Sequence, residues 1–86
     1  MNTPKHYFEV YVLNTISYRF NELDTHNKKY FVEKSDAEVE FYDRISYYSN
    51  EDCKIKEKTQ FSIEIKDSIE KWTYEIFISK EVIKIW

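Results

Sequence analysis

The chain has 86 residues and a net charge of −3, and it contains no glycine but two Trp, eight Tyr and six Phe. Many ligand-binding loops need glycine where the backbone approaches a phosphate or adopts a positive φ. The absence therefore excludes the Walker loop, the dinucleotide fingerprint, the GXXG clamp and the G-x-S-x-G elbow. Residue types with AT-rich codons (Phe, Tyr, Met, Ile, Asn and Lys) dominate the sequence, which indicates genomic bias as the cause.

The length predicts a single domain over residues 1–86. Cys53 is the one cysteine, so an internal disulfide and a cysteine-based zinc site are excluded. No apolar run approaches the roughly 18 residues of a transmembrane helix, and residues 1–6 lack an apolar signal segment. We expect a cytoplasmic protein that does not bind membranes.

The first third of the chain predicts strands. Residues 6–13 are rich in β-branched and aromatic side chains, with Phe8, Val10 and Val12 on one predicted core face. Asn14 and Thr15 interrupt the pattern, and residues 16–20 predict a second strand. The polar residues 21–29 predict a loop, and residues 30–33 a short third strand.

One helix is predicted over residues 35–49. Ser35 and Glu38 match the Ser-x-x-Glu capping box, and Asn50 is placed to take the left-handed cap that glycine usually fills. Four side chains at helical spacing form the predicted core face: Ala37, Phe41, Ile45 and Tyr48.

The last third predicts more strands. Residues 53–66 alternate between apolar and polar side chains and predict one half-buried strand, which pairs with residues 72–78 as a hairpin. Residues 82–86 predict a final short strand or a closing turn. Without glycine, the tight turns fall to Asn and Asp, and the candidates are Asn14, Asn21, Asn27, Asn50 and Asp67.

These elements predict an α+β fold. One helix among alternating strands favours a small antiparallel sheet of about five strands with the helix packed on one face. The predicted order along the chain is β-β-β-α-β-β.

The sequence gives little support for catalysis. His6, His26 and Cys53 lie in separate segments without metal-ligand spacing, and nothing near Cys53 in sequence activates its thiol. We expect no enzyme activity, no metal site and no cofactor.

The helix region carries most of the negative charge. Residues 21–52 contain nine acidic and four basic residues, and a row of carboxylates can imitate a phosphate backbone. Neighbouring aromatic side chains supply contacts for a protein partner. The predicted partner-binding set is Asp36, Glu38, Glu40, Asp43, Tyr47, Glu51 and Asp52.

A sheet face is the alternative site. Aromatic side chains interleaved with lysines can stack on bases and contact phosphates. The alternative set is Tyr7, Tyr11, Lys54, Lys56, Lys58 and Phe77. The isoelectric point of about 5.4 argues against direct nucleic-acid binding.

The composition as a whole is similar to that of the small proteins that phages and mobile elements encode against host defences, including anti-CRISPR proteins. This resemblance covers no alignable segment. It implies a non-catalytic inhibitor in the host cytoplasm that binds a host protein, with a nucleic-acid-handling effector as one such partner. Two alternatives remain open: a nucleic-acid-binding accessory protein and an immunity protein for a nuclease toxin. A homodimer through an exposed edge of the 72–78 strand is also open.

Overall fold

The computed structural model describes residues 6–85. Its five strands form one antiparallel sheet in the order β2-β1-β5-β4-β3, and the helix packs on one face of it, which confirms the predicted α+β class. The elements are β1 (His6–Arg19), β2 (Glu22–Phe31), α1 (Lys34–Tyr48), β3 (Cys53–Thr59), β4 (Ser62–Asp67) and β5 (Trp72–Ile85). The predicted order along the chain is wrong, since two strands precede the helix and three follow it.

The sheet is built on the pairing of its two longest strands. β1 and β5 each have 14 residues and pair along their whole length, from His6 with Ile85 to Arg19 with Trp72. The predicted break at Asn14 and Thr15 is wrong, because both residues are buried inside β1. The Asn14 amide donates to Ser79 Oγ at 2.9 Å and to the Val12 carbonyl oxygen at 3.2 Å, so its polar atoms are satisfied there.

The predicted loop over residues 21–29 is also wrong, because these residues belong to β2. This edge strand is exposed except at Phe31, so its composition is that of a loop. Its stability comes from the backbone ladder with β1, which depends on the partner strand and not on local sequence. The predicted third strand, residues 30–33, is the end of β2 and the start of the connection to α1.

Residues 53–66 form a hairpin instead of one strand. β3 and β4 are joined by a turn at Gln60 and Phe61. The alternation continues through this turn because the Phe61 ring packs edge-on against Phe41, with ring centroids 5.7 Å apart. Residues 82–85, predicted as a separate element, complete β5, and Trp86 lies outside the described residues.

The helix lies close to its predicted range, but its caps differ. Its N-cap is Glu33, without a side-chain cap, so Ser35 falls inside the first turn and the predicted capping box is wrong. The C-cap is Ser49 in an extended conformation, and its hydroxyl donates to the Ile45 carbonyl oxygen at 2.6 Å, in place of the predicted cap at Asn50. The helix has 15 residues. Within residues 6–85, no helix is long and apolar enough to cross a bilayer.

The core lies between α1 and the middle of the sheet. The predicted apolar face of the helix is confirmed: Ala37 and Phe41 are buried, and Ile45 and Tyr48 pack against the cluster. The buried members of this cluster are Leu13, Phe41, Ile63, Ile65 and Ile76.

The two faces of the sheet follow from the strand register. We call the face that carries Leu13 and Ile76 the helix face and the opposite one the open face. Phe8, Val10 and Val12 alternate with Leu13 and therefore lie on the open face, so their predicted position beneath the helix is wrong. The consecutive residues Val12 and Leu13 are both fully buried. Because apolar and polar residues do not alternate at this point of β1, the sequence cannot show which face carries the helix.

Three residues adopt the left-handed conformation that glycine normally fills. Phe20 and Asn21 have φ of 52° and 65° in the two-residue turn between β1 and β2, and Lys71 has φ of 64° just before β5. Asn21 confirms one predicted turn residue, whereas Asn14 and Asn27 lie within strands. A bulky side chain in this conformation costs roughly 1–2 kcal/mol.

Phe41→Ala should lower the free energy of unfolding by about 3–5 kcal/mol, because it removes a fully buried ring and leaves a cavity. Urea denaturation followed by circular dichroism measures the loss. Val39→Ala, at an exposed position of the same helix, is the control and should change stability by less than about 0.5 kcal/mol. Equal losses in the two variants would contradict this description of the core.

Lys71→Gly should raise the free energy of unfolding by about 0.5–1 kcal/mol, because glycine adopts positive φ without the steric penalty. Thermal and urea denaturation both measure the gain. Glu70→Gly changes an exposed neighbour that has no positive φ, so it should destabilise the protein. A loss of stability in Lys71→Gly would show that this turn does not strain the backbone.

Candidate functional site

A cleft of 610 Å³ opens between the helix and the edge strand β2. Its walls combine charged, aromatic and hydroxyl-bearing residues from both elements. They are Thr25, His26, Asn27, Glu40, Asp43, Arg44, Tyr47 and Tyr48.

Arg44 anchors the helix to the floor of this cleft. Its Nη1 donates to the buried Thr15 Oγ1 at 2.8 Å, and its Nε lies 3.8 Å from Glu40 Oε1. Lys29 Nζ on β2 lies 3.3 Å from the same carboxylate oxygen. Glu40 therefore faces two cations, which neutralise its charge and tie the helix to β1 and β2.

A chain of hydroxyl groups continues the floor beyond Arg44. Ser17 Oγ donates to Asp24 Oδ2 at 3.2 Å and lies 2.6 Å from Thr25 Oγ1. Since the single Ser17 proton goes to the carboxylate, the Thr25 hydroxyl donates to Ser17. This network satisfies a buried serine and presents polar groups to the cleft.

Groups suited to catalysis lie apart from one another. The His26 ring lies on the open face, with Nε2 3.1 Å from Asn14 Oδ1. Although His26 belongs to the wall of the cleft, its ring therefore points away from it. The Cys53 thiol donates to the Tyr48 carbonyl oxygen at 3.8 Å, and His6 begins β1 at the far end of the sheet. Among residues 6–85, no three His, Cys, Asp or Glu side chains are grouped to hold a metal ion.

Part of the predicted acidic set forms one stripe along the helix. Asp36, Glu40, Asp43 and Tyr47 follow at intervals of four, three and four residues, which places them on one side of α1. Asp43 and Tyr47 lie at the mouth of the cleft, and Tyr47 is 80% exposed. We call these four residues the acidic stripe.

The remaining predicted residues lie away from the acidic stripe. Glu38 is on the other flank of the helix, where its carboxylate is 3.9 Å from Lys34 Nζ. Glu51 and Asp52 belong to the turn after the helix, and the Asp52 N–H donates to Asn50 Oδ1 at 2.8 Å. Sequence proximity grouped these three with the others, but helical phase and the turn separate them.

The alternative sheet surface is divided between the two faces. Phe77 pairs with Asn14 and Lys56 pairs with Glu64, which places both on the open face together with Lys54. Tyr7 and Tyr11 have the parity of Leu13 and lie on the helix face. The six residues therefore do not form one surface.

Acidic neighbours neutralise much of the lysine charge on the open face. Lys58 Nζ lies 3.4 Å from Glu64 and 3.7 Å from Glu75, and Lys66 Nζ lies 3.3 Å from Glu64. Burial acts to raise the pKa of Glu64, but hydrogen bonds and charges from Lys66 and Lys58 outweigh it and lower the pKa. Lys58 is already paired with two carboxylates, so it is poorly placed to bind a phosphate group.

A row of aromatic rings on the helix face went unpredicted. Trp72 stacks on Tyr74 with ring centroids 5.8 Å apart, Tyr74 lies 4.4 Å from Tyr48, and Tyr48 meets Tyr47 edge-on at 4.9 Å. The Arg19 guanidinium covers the outer end, 5.1 Å from the Trp72 ring. Their even numbers in β5 place Trp72 and Tyr74 on one face, but only the pairing of β5 shows that this face continues to the helix.

Burial raises the pKa of Tyr74 above its usual 10.0, and the nearby Tyr48 and Asp67 act in the same direction. The folded state therefore favours the neutral phenol. Its contribution to stability is complete below pH 10.0 and is lost as pH rises through the folded pKa.

Tyr74→Phe should reduce the fall in the free energy of unfolding that the native chain shows above pH 10.0. Urea denaturation at several pH values measures the slope. Between about pH 7 and 9 the two proteins should have parallel pH profiles, because the phenol is neutral in both states there. An identical fall above pH 10.0 would contradict the raised pKa.

Comparison of the chain with protein-family models, curated proteins and solved structures finds no match.

Proposed function

We propose that this protein is a non-catalytic inhibitor or regulator that binds another protein through the acidic stripe. The observation that carries the proposal is the exposed pair of Asp43 and Tyr47 at the mouth of the cleft, beside the anchored Arg44. An exposed tyrosine next to a charged group that is already held in place resembles the centre of many protein-binding surfaces.

Rigidity supports this choice of surface. The helix is fixed from below by Phe41 in the core and from the side by Arg44 and Lys29. A surface that is ordered before binding loses little conformational entropy when a partner docks. The Tyr47 ring contacts Tyr48 edge-on while most of its surface stays exposed to a partner.

The chemistry of the stripe indicates a basic partner. Asp36 and Asp43 make no ion pair within residues 6–85, whereas Glu40 is balanced by two cations. Two unpaired carboxylates in a chain of net charge −3 attract a positively charged surface and speed association. Proteins that handle nucleic acids carry such surfaces, and we infer that the partner belongs to this class.

This surface fits both the hypothesis of an inhibitor of host defences and the alternative of an immunity protein for a nuclease toxin. A member of either class that blocks a basic nucleic-acid-binding groove needs an acidic surface of this kind. The two hypotheses therefore differ in genetic setting and not in surface chemistry. Phage genes around the coding sequence favour the first, and an adjacent toxin gene favours the second.

The nucleic-acid-binding alternative has weaker physical support. It needs lysines and aromatic rings on one face, and Tyr7 and Tyr11 lie on the face opposite Lys54 and Lys56. A gel shift at low salt that weakens as salt rises would favour it over the present proposal.

The double variant Asp36→Lys/Asp43→Lys should lower capture of the partner at least tenfold, because reversed charges repel a basic surface. Affinity capture from host lysate with quantitative mass spectrometry measures the loss. Tyr47→Ala should weaken capture similarly without changing net charge, since it removes the exposed aromatic contact.

The matched control is Glu22→Lys/Glu70→Lys, which changes net charge equally at exposed positions away from the helix. It should retain capture of the same proteins. Equal loss in both double variants would reduce the effect to net charge, and unchanged capture by the stripe variant would overturn the proposal.

A further inference from the structure

The ends of β1 and β5 extend beyond the rest of the sheet. β2 stops at Phe31, which pairs with Tyr11, and β4 starts at Ser62, which pairs with Phe77. Among residues 6–85, the segments 6–10 and 81–85 therefore pair only with each other. We call this two-stranded extension the ribbon.

The ribbon has one apolar face and one mixed face. On the open face Phe8 pairs with Ile83 and His6 with Ile85, and the His6 and Phe8 rings lie side by side with centroids 6.5 Å apart. Val10 continues the same row toward the sheet. On the helix face, Glu9 and Lys80 form an ion pair at 3.6 Å next to Val82, Tyr7 and Lys84.

The apolar face of the ribbon is left exposed. Phe8, Ile83 and Ile85 are 50%, 46% and 47% exposed. The patch continues onto the sheet at Tyr30, which pairs with Val12 on the same face. A two-stranded ribbon is marginally stable in water unless its apolar face is packed, and contiguous exposed patches of this kind mark interaction surfaces.

We propose that the open face of the ribbon is a homodimer interface, in which it packs against the same face of a second copy of this chain. The two ribbons would stack face to face about a twofold axis, with apolar side chains of both copies interleaved between sheets roughly 10 Å apart. This surface is separate from the acidic stripe, so the inference does not depend on the proposed function.

Charge favours a second copy as the occupant. The border of the patch carries one cation and one anion, Lys28 and Glu81, whose charged groups are 4.0 Å apart on the open face. Since this cation and this anion already neutralise each other, two copies of the face can meet about a twofold axis without like-charge repulsion. A strongly charged partner gains nothing from a patch that is electrically balanced.

The area also suits a modest dimer. Half of a large aromatic side chain is roughly 75–125 Å². Four half-exposed side chains in each of two copies therefore bring at most about 600–1,000 Å² of apolar surface to the interface, since two of the four, Ile83 and Ile85, are smaller than an aromatic side chain. A standard interface of about 1,200–2,000 Å² is a little over half apolar. The patch therefore matches the lower end of that range, and we expect a dissociation constant in the micromolar range.

Sedimentation equilibrium on the native chain should show a concentration-dependent mass that rises from 10.6 kDa toward twice that value. Phe8→Glu and Ile83→Glu should each leave the protein monomeric at concentrations where the native chain is dimeric. The matched controls change the preceding residue of each strand, Tyr7→Glu and Val82→Glu, which are at least as exposed but lie on the other face. Both controls should still dimerise.

A native chain that remains monomeric at millimolar concentration would overturn the proposal. Loss of the dimer in all four variants would also overturn it, because pairing through a strand edge and not through one face would then be responsible. Circular dichroism checks that each variant is folded. If the glutamate variants unfold, the milder variants Phe8→Ser and Ile83→Thr replace them and should each weaken the dimer at least tenfold. Tyr7→Ser and Val82→Thr are the corresponding controls. An unchanged dimer in Phe8→Ser and Ile83→Thr would refute the interface.

Discussion

The antiparallel pairing of β1 with β5 is the interaction on which the rest of this structure depends. The nearest paired residues, Arg19 and Trp72, are 53 positions apart in sequence, so this pairing closes a long loop. That closure costs entropy before any contact offsets it. The fourteen residue pairs and the buried side chains of Leu13 and Ile76 offset the cost, and the hairpins β1–β2 and β3–β4 add the remaining strands on either side.

The same pairing separates the two surfaces to which roles are proposed. The helix occupies one face because Phe41 packs against Leu13 and Ile76, and this contact sets which side of the helix is left outside. Arg44 then fixes the position of the acidic stripe beside β2. The apolar side of the ribbon lies on the opposite face, so a dimer would leave both stripes free to bind partners.

Lack of glycine shapes the turns without preventing them. The β1–β2 turn needs positive φ at both central positions, because that geometry matches the twist of the strands. Phe20 and Asn21 supply it at a steric cost, and the pairing of the long strands they adjoin holds them there. At the β4–β5 turn the Asp67 carboxylate accepts the N–H groups of Ile69 and Glu70, at 3.0 and 3.1 Å, and orders the chain before Lys71.

The sequence by itself determined the elements whose signal is local. The helical spacing from Ala37 to Tyr48 specified both the helix and its buried face. One helix among alternating strand patterns specified the α+β class, and the absence of glycine excluded the glycine-dependent ligand-binding loops. Tertiary structure decided what depends on partners. β2 is a strand because β1 offers it a ladder, and Phe61 continues a strand-like pattern through a turn because it packs on Phe41. Strand register alone placed Tyr7 and Lys54 on opposite faces of the sheet. Alternation relates residues within one strand, but it does not relate residues of strands that are brought together only by the fold.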